Sequence, residues 1–310
     1  MTRMITPLTW GIYNLIDGGI LCAIFQNNSI PEGGSIAIVV AAFAVCIILA
    51  YLLGSVNCAL VVSKLFFHED VREKGSGNAG ATNVLRTYGK KAGILTLIGD
   101  GLKGVIAILI TCAVFGAPEE TELFSGNLYT LQVHACYVSA FFCIFGHVFP
   151  CFSKFRGGKG VATLAFSVLS LNPVIFGILA LIMVALVAMT KYVSLGSVVC
   201  AMFYPIILHS FDSMMFSETE SSTIYGVGIY AIAIGLLVLW AHRGNLKRIM
   251  DRTERKISFS KKSKESVSKE EAVPEAAGPT ESPIAEPEEA GNKKKHPVSK
   301  KKLKRQKGNK

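Results

Sequence analysis

The stretch KGVATLAFSVLSLNPVIFGILALIMVALVAMTK, residues 159–191, decides how this chain folds. It has no charged residue between its terminal lysines, and it exceeds the roughly 20 helical residues that cross a bilayer. Because basic residues collect on the cytoplasmic side, Lys159 and Lys191 should lie on one side, with an even number of crossings between them. Proline lacks a backbone donor and disfavours helix in the preceding residue. We therefore predict two short helices that meet at Asn172-Pro173.

Further apolar stretches on both sides predict an all-α, polytopic integral membrane protein. The 310 residues are 51% hydrophobic with a mean hydropathy of +0.44, which is more than a soluble domain of this length needs for its core. Several such stretches exclude a single signal sequence as their explanation. With the two short helices, they predict about seven transmembrane helices. These stretches are Ile36 to Val62, Ala92 to Phe115, Leu131 to Phe152, Leu195 to Phe211 and Ile224 to Trp240.

The distribution of basic residues predicts the orientation. Lys and Arg are frequent in residues 64–91, in residues 154–159 and after Trp240, whereas residues 26–35, 117–129 and 212–222 contain acids and no Lys or Arg. The first group should be cytoplasmic and the second external. The N-terminus of the helical core is then outside, and the C-terminus is cytoplasmic.

Both ends of the chain differ from the apolar core. Residues 1–35 are only moderately apolar and form an extension with room for an additional helix. Residues 257–310 hold much of the net charge of +10, first in a Pro/Ala/Glu stretch and then in a lysine-rich end, a composition that predicts disorder. We expect a solvated tail, with attraction to anionic lipid or RNA as the alternative. The eight cysteines lack CxxC spacing, which predicts free thiols and no metal.

The first basic loop has the composition of a phosphate-binding loop. It reads REKGSGNAGATNVLR, residues 72–86. Glycines allow backbone N–H groups to approach an anion closely, and the Ser, Asn and Arg side chains between them can donate hydrogen bonds. Gly75 to Gly80 formally matches G-x-G-x-x-G, but the dinucleotide motif needs a preceding strand, and here the neighbours are membrane helices. A flexible connector is the remaining alternative.

The second basic loop, residues 146–163, reads GHVFPCFSKFRGGKGVAT and places Lys159 between glycines at a helix start. The helix dipole there favours an anion. The nucleotide P-loop requires glycine where this chain has Ser153 and Ser or Thr where it has Gly160. A nucleotide hydrolase is therefore not expected.

Several ionisable residues lie inside or beside the predicted spans. Asp100 and Lys103, spaced by three on one helix face, can pair with each other or contact a substrate. His242 lies at a cytoplasmic helix end and is a candidate site residue. For His147 a site role and a helix-end hydrogen bond remain equally open.

The order of these motifs resembles the bacterial membrane family of acyl-phosphate:glycerol-3-phosphate acyltransferases. The similar runs are Gly54-Ser55, Gly75 to Arg86, Gly146 to Pro150, Gly157 to Thr163, Tyr192 to Ser194 and His242 to Arg248. The resemblance covers roughly residues 36–256, the expected acyltransferase domain. It implies seven helices in a bacterial cell membrane and transfer from a fatty acyl phosphate to the 1-hydroxyl of glycerol 3-phosphate, giving lysophosphatidic acid and phosphate, the first acylation of phospholipid synthesis. It implies no cofactor and no nucleic-acid partner.

The resemblance also implies roles for individual residues. The catalytic group is Ser76, Arg86, Lys159 and His242. The substrate and phosphate-binding group is Gly75, Gly77, Asn78, Asn83, Gly157, Gly158, Ser194 and Asn245. The last motif departs from the family pattern at Ala241, where a basic residue is frequent, and at Arg252, where glycine is usual. These departures affect the expected geometry of that segment.

Two other function classes remain as alternatives. An anion or phosphate-ester transporter would also use broken helices, but no internal repeat is visible and the basic residues lie at one face. A membrane scaffold explains the basic tail and leaves the glycine loops unexplained. Acyl-CoA-dependent enzymes use His-x-x-x-x-Asp, and no histidine here has aspartate at that spacing. That absence favours acyl phosphate as the donor.

Overall fold

The computed structural model describes residues 19–27, 32–116, 127–215 and 221–257, and within these ranges all regular structure is helical. The predicted tail beyond residue 257 and most of the N-terminal extension lie outside the described residues. The α-helices are α1 (Ile20–Asn27), α2 (Glu32–Ser55), α3 (Cys58–Phe67), α4 (Ala81–Tyr88), α5 (Lys90–Phe115), α6 (Asn127–Val148), α7 (Val161–Leu171), α8 (Pro173–Thr190), α9 (Val193–Met215), α10 (Ser221–Ala241) and α11 (Arg243–Met250).

Five helical segments in the described part of the chain are long and apolar enough to span a membrane. A sixth candidate is the pair formed by α10 and α11, which is bent by 56°. The predicted total of about seven depends on α7, which has only 11 residues. The described helices thus account for five or six spans, and α7 is an apolar helix too short to cross a bilayer alone.

The predicted break at Asn172-Pro173 is confirmed. The Asn172 side chain accepts hydrogen bonds from the backbone N–H groups of Val174 and Ile175, each at 3.1 Å, and Pro173 occupies the first helical position of α8. Asparagine is a favourable N-cap, and proline fits the first turn because its missing donor would be unpaired there. One local sequence feature therefore ends α7 and starts α8.

The predicted span from Ile36 to Val62 is also present, but it is interrupted between Ser55 and Cys58. The Lys103 ammonium of α5 donates to the carbonyl oxygens of Gly54 and Val56, each at 3.0 Å. A buried cation therefore satisfies the free carbonyls at the end of α2. The predicted span is confirmed, and the interruption within it was not predicted, because the group that stabilises the break comes from a different helix.

Of the two alternatives for Asp100 and Lys103, the mutual pair is present, and it extends to His147 of α6. Lys103 Nζ lies 3.0 Å from Asp100 Oδ1 and 2.8 Å from His147 Nδ1, and all three side chains are almost fully buried. Asp100 Oδ1 also accepts from the backbone N–H of Cys58, at the start of α3. The cluster thus joins the broken α2–α3 segment to α5 and α6.

Replacing Lys103 with methionine should lower the free energy of unfolding by about 3–5 kcal/mol, because it removes the cation that pairs with the buried Asp100 carboxylate and the donor to two helix-end carbonyls. Thermal unfolding of the protein in detergent micelles measures the change. Lys91→Met on the exposed face of the same helix is the matched control and should unfold near the parent temperature. Equal unfolding temperatures for both variants would refute a stabilising role for Lys103.

The helices pack around a core in which α6 lies beside α2, α5 and α10. Large buried side chains at the centre of this core include Tyr137, Ile144 and Tyr204. Many apolar side chains of the long helices are exposed instead, such as Ile48, Leu181 and Ile229, as expected for surfaces that face lipid. The cysteines whose side chains are described, namely Cys46, Cys58, Cys112, Cys136, Cys143, Cys151 and Cys200, are free thiols.

Candidate active site

A cavity of about 590 Å³ opens where the two glycine-rich loops meet the ends of α9 and α10. Its wall includes the basic residues Arg86, Lys159 and Arg248. The same wall includes the apolar residues Leu97, Phe166 and Met183. A cavity lined by both kinds of residue fits a molecule that joins an anionic group to a hydrocarbon chain.

The first loop is shaped by the side chain of Asn83. Its Oδ1 accepts from the backbone N–H of Ser76 at 2.8 Å, and its Nδ2 donates to the carbonyl oxygens of Val71 and Lys74 at 3.0 Å each. Asn83 is buried, although one face of it reaches the cavity wall. All its amide groups are therefore used to fold the loop that presents Ser76.

Glycine is required at Gly75 for two reasons. Its φ of 60° lies in the left-handed region, and a Cβ there would meet Asn83 Oδ1 at 2.3 Å. Gly77, with a φ of 72°, also has this backbone conformation. These glycines allow the tight turn around the Asn83 amide.

Glycines in the second loop allow close packing against α6 and the first loop. A Cβ on Gly157 would lie 2.0 Å from the His147 carbonyl oxygen. On Gly158 it would lie 2.2 Å from His147 Nε2 and 2.6 Å from the carbonyl oxygen of Ala79. The two glycine-rich loops are thus in direct contact, and the backbone after Gly158 directs Lys159 into the cavity.

His242 lies at the bend between α10 and α11 and is 2% exposed. Its Nδ1 is 2.8 Å from the carbonyl oxygen of Val238. Because a carbonyl can only accept, Nδ1 carries the proton in this contact and Nε2 is the unprotonated nitrogen of the neutral ring. His242 therefore reaches the cavity in a fixed orientation.

A carboxylate from the segment after α11 completes the polar wall. Glu254 Oε1 accepts from Ser194 Oγ at 2.8 Å and from Asn245 Nδ2 at 2.6 Å, and Glu254 Oε2 accepts from Arg248 Nε at 2.8 Å. Asn245 Oδ1 in turn accepts from the Lys159 ammonium. Glu254 is thus linked through Asn245 to Lys159 of the second loop.

The charges of this wall affect each other. Burial lowers the pKa of Lys159 to about 8; the nearby Glu254 carboxylate opposes this effect, and Arg248 and Arg86 add to it. Burial raises the pKa of Glu254, but hydrogen bonds from Asn245, Arg248 and Ser194 outweigh it and hold the pKa below its usual range. The site therefore concentrates positive charge and contains one carboxylate that partly balances it.

The cavity brings together most of the residues singled out in the sequence. Those on its wall are Ser76, Gly77, Asn78, Asn83, Arg86, Lys159, Ser194, His242 and Asn245. Gly75, Gly157 and Gly158 do not line it; they support the loops from behind. Asp100 and His147 of the buried cluster also reach the wall, so that cluster adjoins the site.

Three charged wall residues were not predicted as site residues from the sequence, namely Arg248, Glu254 and Arg255. Arg248 belongs to the last motif, so its inclusion could have been inferred from that run. Glu254 and Arg255 lie in a polar, basic stretch next to the predicted tail, where nothing in the composition separates a site residue from a solvated one. The carbonyl oxygen of Arg255 accepts from Arg86, at 3.5 Å.

Comparisons with known proteins cover the same region of the chain. Residues 44–252 match the family described as glycerol-3-phosphate acyltransferase. Glycerol-3-phosphate acyltransferase 2 of Bacillus cereus is 42% identical over 220 residues, which is 70% of this chain and 96% of the relative. The glycerol-3-phosphate acyltransferase of Clostridioides difficile is 39% identical over 219 residues, covering 71% and 97%.

Solved structures agree with this similarity. PlsY (YgiH), an integral membrane glycerol 3-phosphate acyltransferase, superposes in its glycerol 3-phosphate form with a TM-score of 0.57 and 31% identity, over 70% of this chain and 96% of that chain. Its lysophosphatidic acid form gives 0.55 and 30%, over 70% and 95%. The family match ends at residue 252, just before Glu254.

Proposed function

Since this chain belongs to the glycerol-3-phosphate acyltransferase family, we propose that its cavity holds a fatty acyl phosphate beside glycerol 3-phosphate and transfers the acyl group to the acceptor's 1-hydroxyl. The chain is an all-helical, multi-pass integral membrane enzyme of phospholipid synthesis, and lysophosphatidic acid is its product. The acyl phosphate donor and the release of inorganic phosphate are the proposed parts.

The observation that carries this proposal is the mixed lining of the cavity. Arg86 and Lys159 reach it together with neutral hydrogen-bond donors, and Leu97, Phe166 and Met183 also line it. Two phosphate-bearing substrates repel each other, and cations in a partly buried site offset that repulsion more strongly than they would in water. The apolar residues can hold the start of the acyl chain next to the membrane.

An acyl phosphate is a mixed anhydride with a good leaving group, so no acyl-enzyme intermediate is needed. The 1-hydroxyl oxygen attacks the carbonyl carbon, a new C–O bond forms, and the bond from that carbon to the phosphate oxygen breaks. The hydroxyl proton passes to the phosphate of the acceptor, and the donor's phosphate leaves. The chain contributes positioning and charge stabilisation.

Within this proposal the residues have distinct tasks. Lys159 and Arg86 bind phosphate, and Ser76, Asn78 and Asn245 supply hydrogen bonds beside them. His242 orients the acceptor through its fixed ring. Gly75, Gly77, Asn83, Gly157 and Gly158 shape the two loops, and Ser194 acts together with Glu254. No metal or other cofactor takes part.

We also propose a bacterial cell membrane as the location, with the cavity and the C-terminus on the cytoplasmic side. The excess of Lys and Arg in the loops that form the cavity supports this orientation. It would place the active site where glycerol 3-phosphate is available. The lysine-rich tail would then lie near the anionic cytoplasmic leaflet.

A donor assay tests the function. Purified protein receives glycerol 3-phosphate with palmitoyl phosphate in one series and palmitoyl-CoA in another, and lysophosphatidic acid and phosphate are quantified. We expect both products in equal amounts from the acyl phosphate series only. Turnover with palmitoyl-CoA alone would refute the proposed donor, and absence of lysophosphatidic acid in both series would refute the reaction.

The pH dependence of acceptor binding should follow the protonation of Lys159. Because its pKa is lowered to about 8, the ammonium is charged below that pH and becomes neutral above it. KM for glycerol 3-phosphate should therefore rise as the pH increases through about 8, as initial rates corrected for spontaneous hydrolysis of the donor would show. Lys159→Arg, which stays charged, should lose this alkaline rise, and Lys91→Arg should retain it. An unchanged rise in Lys159→Arg would assign it to another group.

A further inference from the structure

The segment Asp251 to Ile257 is held against the cavity at both ends. After α11 the chain turns back, and the N–H groups of Thr253 and Glu254 donate to the Arg248 carbonyl oxygen at 2.8 and 3.0 Å. The N–H of Ile257 donates to the carbonyl oxygen of Lys191 at 2.9 Å, beyond the end of α8. Glu254 therefore enters the cavity wall from a fixed backbone.

The Glu254 side chain is more strongly engaged than a surface carboxylate. Only 9% of it is exposed, and it accepts three hydrogen bonds, from Ser194 of α9 and from Asn245 and Arg248 of α11. Hydrogen bonds to an ionised acceptor are about twice as strong as neutral ones. The carboxylate thus links α9, α11 and its own segment.

These contacts determine how Asn245 and Ser194 face the cavity. A carboxylate accepts only, so Asn245 must present Nδ2 to Glu254 and its carbonyl oxygen Oδ1 to the Lys159 ammonium. The single proton of the Ser194 hydroxyl is also given to Glu254. Without the carboxylate, the amide of Asn245 could turn over and direct N–H groups at Lys159.

We propose that Glu254 is a positioning residue of the phosphate site: it fixes the Asn245 amide and the Ser194 hydroxyl, and its charge balances the Lys159 ammonium. Through Asn245 it holds Lys159 at the place where an acceptor phosphate binds. The inference rests on the proposed substrates, since it assigns Lys159 to the phosphate of glycerol 3-phosphate.

The charges around Lys159 give this role a measurable signature. Glu254 is the acidic group that favours its charged form, whereas Arg86 of α4 and Arg248 of α11 disfavour it, and the neutral ring of His242 lies nearby. Loss of the Glu254 charge should therefore lower the pH at which Lys159 becomes neutral. Loss of the Arg248 charge should raise it.

Steady-state kinetics over pH 6 to 9.5 with palmitoyl phosphate and glycerol 3-phosphate test the proposal on Glu254→Gln, which keeps the side-chain shape. We expect the alkaline rise in KM for glycerol 3-phosphate to move to lower pH by an amount on the order of 1 pH unit. KM should be raised at every pH, because the Asn245 amide is no longer fixed, and the increase should be largest near pH 8, where Lys159 is less often charged in the variant than in the parent protein. Glu69→Gln removes an exposed acid that pairs with Lys74 outside the cavity, and it should leave the profile unchanged.

Two further variants keep the test decisive if Glu254→Gln folds poorly, which thermal unfolding in detergent would show. Glu254→Asp retains the charge. It should leave the pH of the alkaline rise in KM unchanged while raising KM at every pH. Arg248→Gln should move the alkaline rise in KM for glycerol 3-phosphate to higher pH.

A parent KM near pH 6.5 in Glu254→Gln would overturn the positioning role. An alkaline rise in KM that stays at the parent pH in Glu254→Gln, or shifts of Glu254→Gln and Arg248→Gln in the same direction, would overturn the charge balance with Lys159. A lower KM in Glu254→Gln would also overturn the positioning role, since the carboxylate would then compete with substrate. Failure of the parent protein to make lysophosphatidic acid would instead refute the proposed function.

Discussion

Replacing Lys159 with alanine should reduce kcat/KM for glycerol 3-phosphate by about a thousandfold or more, the loss expected when a group that stabilises transition-state charge is removed. Lys159 is the cation that the second loop directs into the cavity, where its ammonium group donates a hydrogen bond to Asn245 Oδ1. Without it, only the arginines of the cavity wall would remain to offset the repulsion between two phosphates. Arg86→Ala should have a comparable effect for the same reason. Phosphate release from palmitoyl phosphate, measured over a wide range of acceptor concentration, separates kcat from KM.

His242→Ala is the informative comparison for these variants. If the acceptor's own phosphate takes the proton, this variant should keep measurable turnover, because His242 orients and does not transfer a proton. Its unfolding temperature should be checked, since the ring is buried. Complete loss at every pH with acceptor binding intact would instead identify a protein base and contradict the proposed mechanism.

Gly158→Ala should raise KM for glycerol 3-phosphate more than tenfold and lower the unfolding temperature. The added Cβ would lie 2.2 Å from His147 Nε2 and 2.6 Å from the Ala79 carbonyl oxygen, so either the buried histidine or the backbone of the first loop must move. Overpacking of this kind costs about 1–3 kcal/mol. The displacement falls on the residue next to Lys159, which is why a single methyl group should weaken phosphate binding.

Gly177→Ala in α8 provides the control, since a Cβ at that position meets no atom within 4 Å. Alanine also favours helix over glycine, so this variant should be as stable as the parent or slightly more stable. Kinetic constants and thermal unfolding of both variants should be recorded in the same detergent. A Gly158→Ala enzyme with parent KM would show that the two loops can separate without affecting the site.

Much of the fold was predictable because it depends on local sequence. Apolar stretches of membrane-spanning length predicted the long helices, and Asn172-Pro173 predicted the boundary between α7 and α8 through capping and proline chemistry. The spacing of Asp100 and Lys103 predicted that they share one helix face, with pairing as one of two alternatives. Each of these features needs information from only a few neighbouring residues.

The features that were not predicted depend on contacts between distant segments. The interruption after Ser55 is stabilised by Lys103 of a distant helix, which the neighbouring residues Gly54, Ser55 and Asn57 do not reveal. Glu254 lies among basic residues of a polar stretch, and only the folded chain shows that it contacts Ser194 and Asn245. The packing of Gly157 and Gly158 against His147 was not predicted either, and their expected part in phosphate binding stays a prediction.

The unequal lengths of α7 and α8 have a consequence for where the reaction takes place. The helices have 11 and 18 residues and share the junction at Asn172, so at about 1.5 Å per residue their far ends can differ in depth by up to about 10 Å. Lys159, before the shorter helix, could then lie deeper in the membrane than the far end of α8. With the orientation proposed above, the water-soluble acceptor would reach this depression from the cytoplasmic side, while the acyl donor could enter laterally from the surrounding leaflet without leaving the bilayer.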